Sequence, residues 1–291
     1  MLQKIREIRE HAQGIYDLAV SREVGVFTCS GDGFVVLWDV ESGKQNPFAV
    51  KTSVPAYAVA NSEELLFIGL NNGDLHWVNL ISKEEVKFFQ QHISAIFSLV
   101  FDHKNGVLVS TDADGFVGVW DTVNMTLNLF FQIPIGKIRA VAFSNDSKLL
   151  ALGGQDGSIV VLETEFFNEV NRFYAHQNGV TALAFHPDGT AILSGGKDAF
   201  LRVWDISTWT KLKAFPAHLY AIYGIAFSPD GSLFASCSRD KTIKIWNAVD
   251  FSISKKLDVK AGGHQHSVNA LHWSEEGLIS VSDDRRLILW Q

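Results

Sequence analysis

Five times along the chain a histidine is followed by a serine or threonine, then an aspartate, then a tryptophan, at nearly constant spacing. The sets are His11, Thr28, Asp32 and Trp38; His92, Ser110, Asp114 and Trp120; His176, Ser194, Asp198 and Trp204; His218, Ser236, Asp240 and Trp246; and His264, Ser280, Asp284 and Trp290. A hydroxyl, an imidazole and a carboxylate are the parts of a nucleophilic triad. An active site needs one exposed nucleophile, whereas here the trio recurs five times, each with an indole whose only polar atom is an N–H donor. The reading that fits is structural: a hydrogen-bond chain from Trp through Ser or Thr and His to Asp, satisfying polar groups inside a folded unit.

Something must hold these residues in register, and the chain shows what it is. The residue just before the terminal Asp or Asn of each motif stands at 38, 78, 120, 162, 204, 246 and 290, so the unit is about 42 residues long and 291 residues hold seven. Two copies lack the network: Thr52, Ile68, Asn72 and Val78 stand at its positions in the second, and Pro134, Leu152, Asp156 and Leu162 in the fourth. Both read as apolar replacements. Within a unit the hydrophobic period is two, as in Val180-Thr181-Ala182-Leu183-Ala184-Phe185 and Phe200-Leu201-Arg202-Val203-Trp204. Turn signals such as His186-Pro187-Asp188-Gly189 separate the runs, which predicts four short strands per unit.

On these motifs, over the whole chain, the sequence resembles the WD-repeat family of β-propellers. The resemblance implies an all-β fold, a seven-bladed propeller of four-stranded antiparallel blades forming a single domain over residues 1–291. It also implies that each repeat supplies the outer strand of one blade and the three inner strands of the next. The last residues, Ile288-Leu289-Trp290-Gln291, close a third strand, while Gln3 to Ile8 align with an outer strand. The N-terminal segment is therefore expected to complete blade 7 and close the ring, leaving no open edge.

Composition bounds the partners. The formal charge is −7, from 25 basic and 32 acidic residues, so the overall field repels phosphate backbones and argues against nucleic acid. No run reaches the length of a membrane span, the N-terminus lacks the pattern of a signal peptide, and the expectation is a cytoplasmic, monomeric propeller. Cys29 and Cys237 follow the Ser or Thr position of blades 1 and 6, two blades apart, too far for a disulfide. His264 and His266 have no further ligand at metal spacing, and there is no phosphate-binding loop, so neither metal nor cofactor is expected.

In the family the face bearing the His and Asp loops commonly binds partners around the central channel. One channel-mouth position per blade reads Tyr16, Tyr57, Phe97, Arg139, Thr181, Tyr223 and Asn269, and Lys137, Gln155, Lys197 and Arg239 flank it, with Asp283 as the only acid at the mouth. One arc is aromatic and the adjoining arc basic. Aromatic and Arg side chains are common interface anchors, and Lys and Arg hold carboxylates or phosphates. The expected site is therefore Tyr16, Tyr57, Phe97, Lys137, Arg139, Lys197, Tyr223 and Arg239, binding a protein or peptide with apolar groups against the rings and an acidic or phosphorylated group over the cations. A second surface is expected on the opposite face at Met125, Phe167, Trp209 and Phe251, spaced by 42, unless each folds over its own turn. The function expected is a non-catalytic scaffold or adaptor. The alternatives are an obligate subunit of a larger complex and, least favoured, a metal-dependent propeller hydrolase.

Overall fold

The computed structural model describes residues 2–21 and 23–291. Seven four-stranded antiparallel sheets are present, six of them built from strands consecutive in sequence. The seventh joins Lys4–Ile8 to the edge of Leu287–Trp290, so its outer strand comes from the other end of the chain. Lys4 pairs with Trp290 and Ile8 with Leu287, and Gln3 and Gln291 exchange backbone hydrogen bonds. The innermost strands are Ile15–Ser21, Ala56–Asn61, Ile96–Asp102, Ile138–Phe143, Val180–Phe185, Ile222–Phe227 and Val268–Ser274, numbered here as blades 1 to 7. Each touches its two neighbours, and blade 7 touches blade 1, which makes the ring continuous.

The period-two pattern explains the packing. Alternate side chains of a strand point to opposite faces, so a blade with apolar residues on both faces packs against two neighbours. Seven interblade clusters result. One combines Phe27, Leu37 and Phe48 of blade 1 with Val59, Leu66 and Ile68 of blade 2, and all are buried. Blades 2 and 4 bury Ile68, Val78, Leu152 and Leu162 where the others place polar groups, as the sequence predicts. Cys29 and Cys237 are buried free thiols.

Every innermost strand shifts register at its second residue, between Ile15 and Asp17, Ala56 and Ala58, Ile96 and Ser98, Ile138 and Ala140, Val180 and Ala182, Ile222 and Gly224, and Val268 and Ala270. Such a bulge leaves one residue outside the ladder and re-aims its side chain. The seven bulged residues are Tyr16, Tyr57, Phe97, Arg139, Thr181, Tyr223 and Asn269. All seven line the central channel.

Candidate functional site

The hydrogen-bond chains form in all five expected blades. In blade 1 the Trp38 indole donates to Thr28 Oγ1 at 2.7 Å, His11 Nε2 meets the same oxygen at 2.8 Å, and His11 Nδ1 meets Asp32 at 2.9 Å. Blades 5, 6 and 7 repeat this through Ser194, Ser236 and Ser280. A neutral imidazole donating from Nδ1 to the carboxylate and accepting at Nε2 from the hydroxyl fits each chain. The five hydroxyl residues are fully buried, so no substrate reaches them.

Blade 3 departs from the expected assignment. His92 Nδ1 pairs with Asp112 at 2.7 Å, not with Asp114, which is exposed. Asp112 ends the second strand, where blades 1, 6 and 7 carry Ser30, Ser238 and Ser282. Those serines accept the amide two residues on, and Asp112 does the same for Asp114 and also for Phe116, each at 2.9 Å. Its longer side chain reaches the histidine as well, taking over the role for which the repeat alignment nominates Asp114.

The networks set the acid response of the fold. Burial pushes Asp198 up, but the hydrogen bond and charge of His176 and further donors outweigh it and hold the carboxyl at about 2. Asp32, Asp112, Asp240 and Asp284 are likewise held below the usual range. Burial depresses His176, His218 and His264, against the pull of their aspartates, and depresses His272 to about 4. For a depressed group the stabilisation is present above its unfolded pKa and is lost as pH falls toward the folded one. The histidines act first, below about pH 6.5, and the aspartates below about pH 4. Thermal melting from pH 8 to pH 4 should therefore show a midpoint that falls once the pH drops below about 6.5; a profile flat or rising from about pH 6.5 to pH 4 would contradict these environments.

Of the eight nominated residues, Tyr16, Tyr57, Phe97, Arg139 and Tyr223 line the channel, while Lys137 and the exposed Lys197 lie outside its lining. Tyr16 meets Tyr57 edge-on with ring centroids 5.1 Å apart, and Tyr57 stacks on Phe97 at 5.4 Å, so the aromatic arc is one contiguous chain of rings. Lys137 places its ammonium 4.1 Å from the Phe97 centroid, and the Arg139 guanidinium lies 4.7 Å from that of Tyr223. Cations over ring faces in this way are attracted by the ring quadrupole. Burial, together with the charges of Lys197 and Arg139, pushes the Lys137 ammonium below its usual value. Arg239 is exposed on blade 6 and does not line the channel. Thr181 and Asn269 are instead ties between blades, donating to the carbonyls of Ile222 and Ile15 at 2.5 and 2.8 Å.

The channel encloses about 330 Å³. It also holds a charged residue that the sequence reading passes over. Asp17 follows Tyr16, at a position filled elsewhere by Ala58, Ser98, Ala140, Ala182, Gly224 and Ala270. The signal was available in the repeat alignment, as one acid in a column of small residues. Its oxygens accept the backbone N–H groups of Leu18 at 2.9 Å and Val59 at 3.1 Å.

The second expected surface is corrected. Met125, Phe167, Trp209 and Phe251 all adopt left-handed backbone, with φ of 54°, 59°, 56° and 64°, and turn inward onto the interblade clusters. Trp209 packs on Phe173 with centroids 6.2 Å apart, and Phe251 on Phe215 at 5.9 Å. The apolar side chains that do reach solvent in these turns are Val123, Phe166 and Val249, and Ile81 does so in the corresponding turn of blade 2. Among the described residues no group of three His, Cys, Asp or Glu could hold a metal, and no helix is long and apolar enough to cross a membrane.

Comparison with known proteins agrees with this architecture. The WD40 family, described as "WD domain, G-beta repeat", matches residues 2–39, 83–121, 132–162, 167–205, 209–247 and 255–291, and the chain belongs to that family. The unmatched stretch 40–82 contains most of blade 2, which lacks the network. The Pre-rRNA-processing protein IPI3 of Yarrowia lipolytica (strain CLIB 122 / E 150) is 30% identical over 139 residues, covering 38% of this chain and 32% of that protein. The chain thus spans about a third of the length of the curated relative it matches.

Proposed function

We propose that this propeller is a non-catalytic scaffold that holds a partner polypeptide on the face around its channel mouth. The observation that carries the reading is the joined aromatic and basic arc at that mouth, from Tyr16 through Tyr57 and Phe97 to Lys137 and Arg139. Flat rings supply contact area at little entropic cost, while Lys137, Arg139 and Lys197 draw an acidic or phosphorylated group of the same segment. The buried hydroxyls of the networks argue against a hydrolytic role.

Affinity capture from native lysate tests the reading. Tyr57→Ala and Arg139→Glu should each lower recovery of the principal partner at least about tenfold, the loss expected from one interface anchor worth about 1.4 kcal/mol or more. Both should melt within about 3 °C of the parent chain, because these side chains are half-buried at the mouth and outside the interblade clusters. Unchanged recovery of every captured protein would refute the site.

The similarity to a pre-rRNA-processing protein favours a second reading, in which the disk is a permanent component of a pre-rRNA-processing assembly. Sizing in native lysate separates the two. A permanent component elutes wholly far above 32.3 kDa, whereas an adaptor leaves a free pool near that mass.

A further inference from the structure

We propose that the channel just inside the mouth is a socket for one basic side chain, a lysine or arginine of the partner segment, with Asp17 as its counter-charge and Tyr16, Tyr57 and Phe97 as the collar it passes. This rests on the reading of the face as a partner site and specifies what the partner inserts. An apolar group against the rings, the expectation from sequence, would cover a carboxylate and leave it without a counter-charge.

Four observations carry the inference. First, Asp17 lines the cavity while six of the seven positions at its level are Ala, Ser or Gly, so the channel is open in front of it. Second, both of its hydrogen bonds come from neutral backbone amides, and among the described residues no cation forms an ion pair with it. Arg139, the cation lining the same cavity, is drawn aside over Tyr223. Third, Tyr16, Tyr57 and Phe97 line the same cavity as Asp17 and form one contiguous chain of rings, and aromatic rings attract cations. Fourth, the cavity of about 330 Å³ admits one long side chain but supplies too few ligands for a metal ion. A buried carboxylate without a counter-ion is costly, and a cation delivered by a partner removes that cost. Burial pushes Asp17 up to about 7, with the Val59 and Leu18 amides and Arg139 pulling the other way, so the socket becomes a full negative charge only as pH rises through neutrality.

The test uses the full chain with n-butylammonium and methylguanidinium as probes and n-butylurea as the uncharged control, followed by ligand-observed NMR. The charged probes should bind saturably and at least about tenfold more tightly than the urea, and Asp17→Asn should remove that preference. In the parent chain their affinity should rise from pH 5.5 to pH 8, because the ionised carboxylate is the receptor. The other groups facing Asp17 are Tyr16 and Cys29 of its own blade, Tyr57 of blade 2 and Arg139; burial raises the first two further above neutrality, so Asp17 is the group expected to titrate in this window. Equal binding of the urea, an unchanged Asp17→Asn variant or a pH-independent affinity overturns the socket. If Tyr57→Ala and Arg139→Glu still abolish partner capture in that case, the partner face stands and only the socket is wrong. Charged-probe binding with unchanged capture has the reverse meaning.

Discussion

Deleting the first nine residues is expected to lower the thermal midpoint of the whole propeller by about 10 °C or more, in one cooperative transition. The segment Lys4–Ile8 is the fourth strand of blade 7, and it buries Ile8 in the cluster shared by blades 7 and 1. It also completes a charged clamp. Arg286 is 7% exposed and donates to Asp284 at 2.6 and 3.0 Å, to the Gly263 carbonyl at 2.9 Å and to Glu7 at 3.2 Å. Removing Glu7 and its strand leaves a cation with fewer partners beside the His264 network and an unpaired strand edge. A lost strand with a buried anchor and a disrupted partly buried pair comes to about 5 kcal/mol or more, and each kcal/mol shifts a domain of this size by about 2–4 °C. Calorimetry of the truncated chain decides the matter. An unchanged midpoint would mean that the ring does not depend on its terminal strand.

The second large effect separates two aspartates two residues apart. Asp112→Ala should cost about 2–4 kcal/mol, whereas Asp114→Ala should stay within about 0.5 kcal/mol. Asp112 is fully buried and accepts from His92 and two backbone amides, so its loss orphans three donors in a closed environment. Asp114 is exposed, and its own amide is a donor to Asp112 rather than a part of the histidine chain. Urea unfolding of the two variants, with the slope unchanged, measures the difference directly. Equal destabilisation, or a larger cost at Asp114, would return the network to the register suggested by the repeat alignment.

The depressed histidines and aspartates work against acid, and Asp17 works the other way. Its raised pKa favours the protonated form in the fold, so its contribution is lost as pH rises from about 4 through about 7. His272, depressed to about 4, offsets that single proton below about pH 6.5, and the depressed His176, His218 and His264 add to it in the same sense, so the net slope below about pH 6.5 is toward acid instability.

How much of this was legible in the chain depends on whether a property repeats. The strand period, the 42-residue unit, the five networks and the closure by Gln3 to Ile8 were all readable, because each recurs or aligns and a blade imposes the same burial on the same column. The channel residues were nominated through the resemblance to the propeller family, which points to one position per repeat, and the bulge shared by all seven strands is what aims that position inward. What recurs only in spacing was less informative. Met125, Phe167, Trp209 and Phe251 share a column, but the sign of φ at that column decides whether the side chain faces solvent or the neighbouring blade.

The sequence by itself determined a closed seven-bladed ring with polar networks inside five blades and a mixed aromatic and basic mouth. Only the tertiary structure decided which aspartate completes blade 3, which cation rests on which ring, and that Asp17 stands in the channel without an ion-pair partner. The physical reason is that repetition along the chain encodes the average environment of a column, whereas contacts across the channel depend on side-chain reach between blades far apart in sequence. A single acid among small residues carries little weight in a hydrophobic pattern. Once seven strands converge on one axis, it faces the rings of blades 1 to 3 and the guanidinium of blade 4 within one cavity.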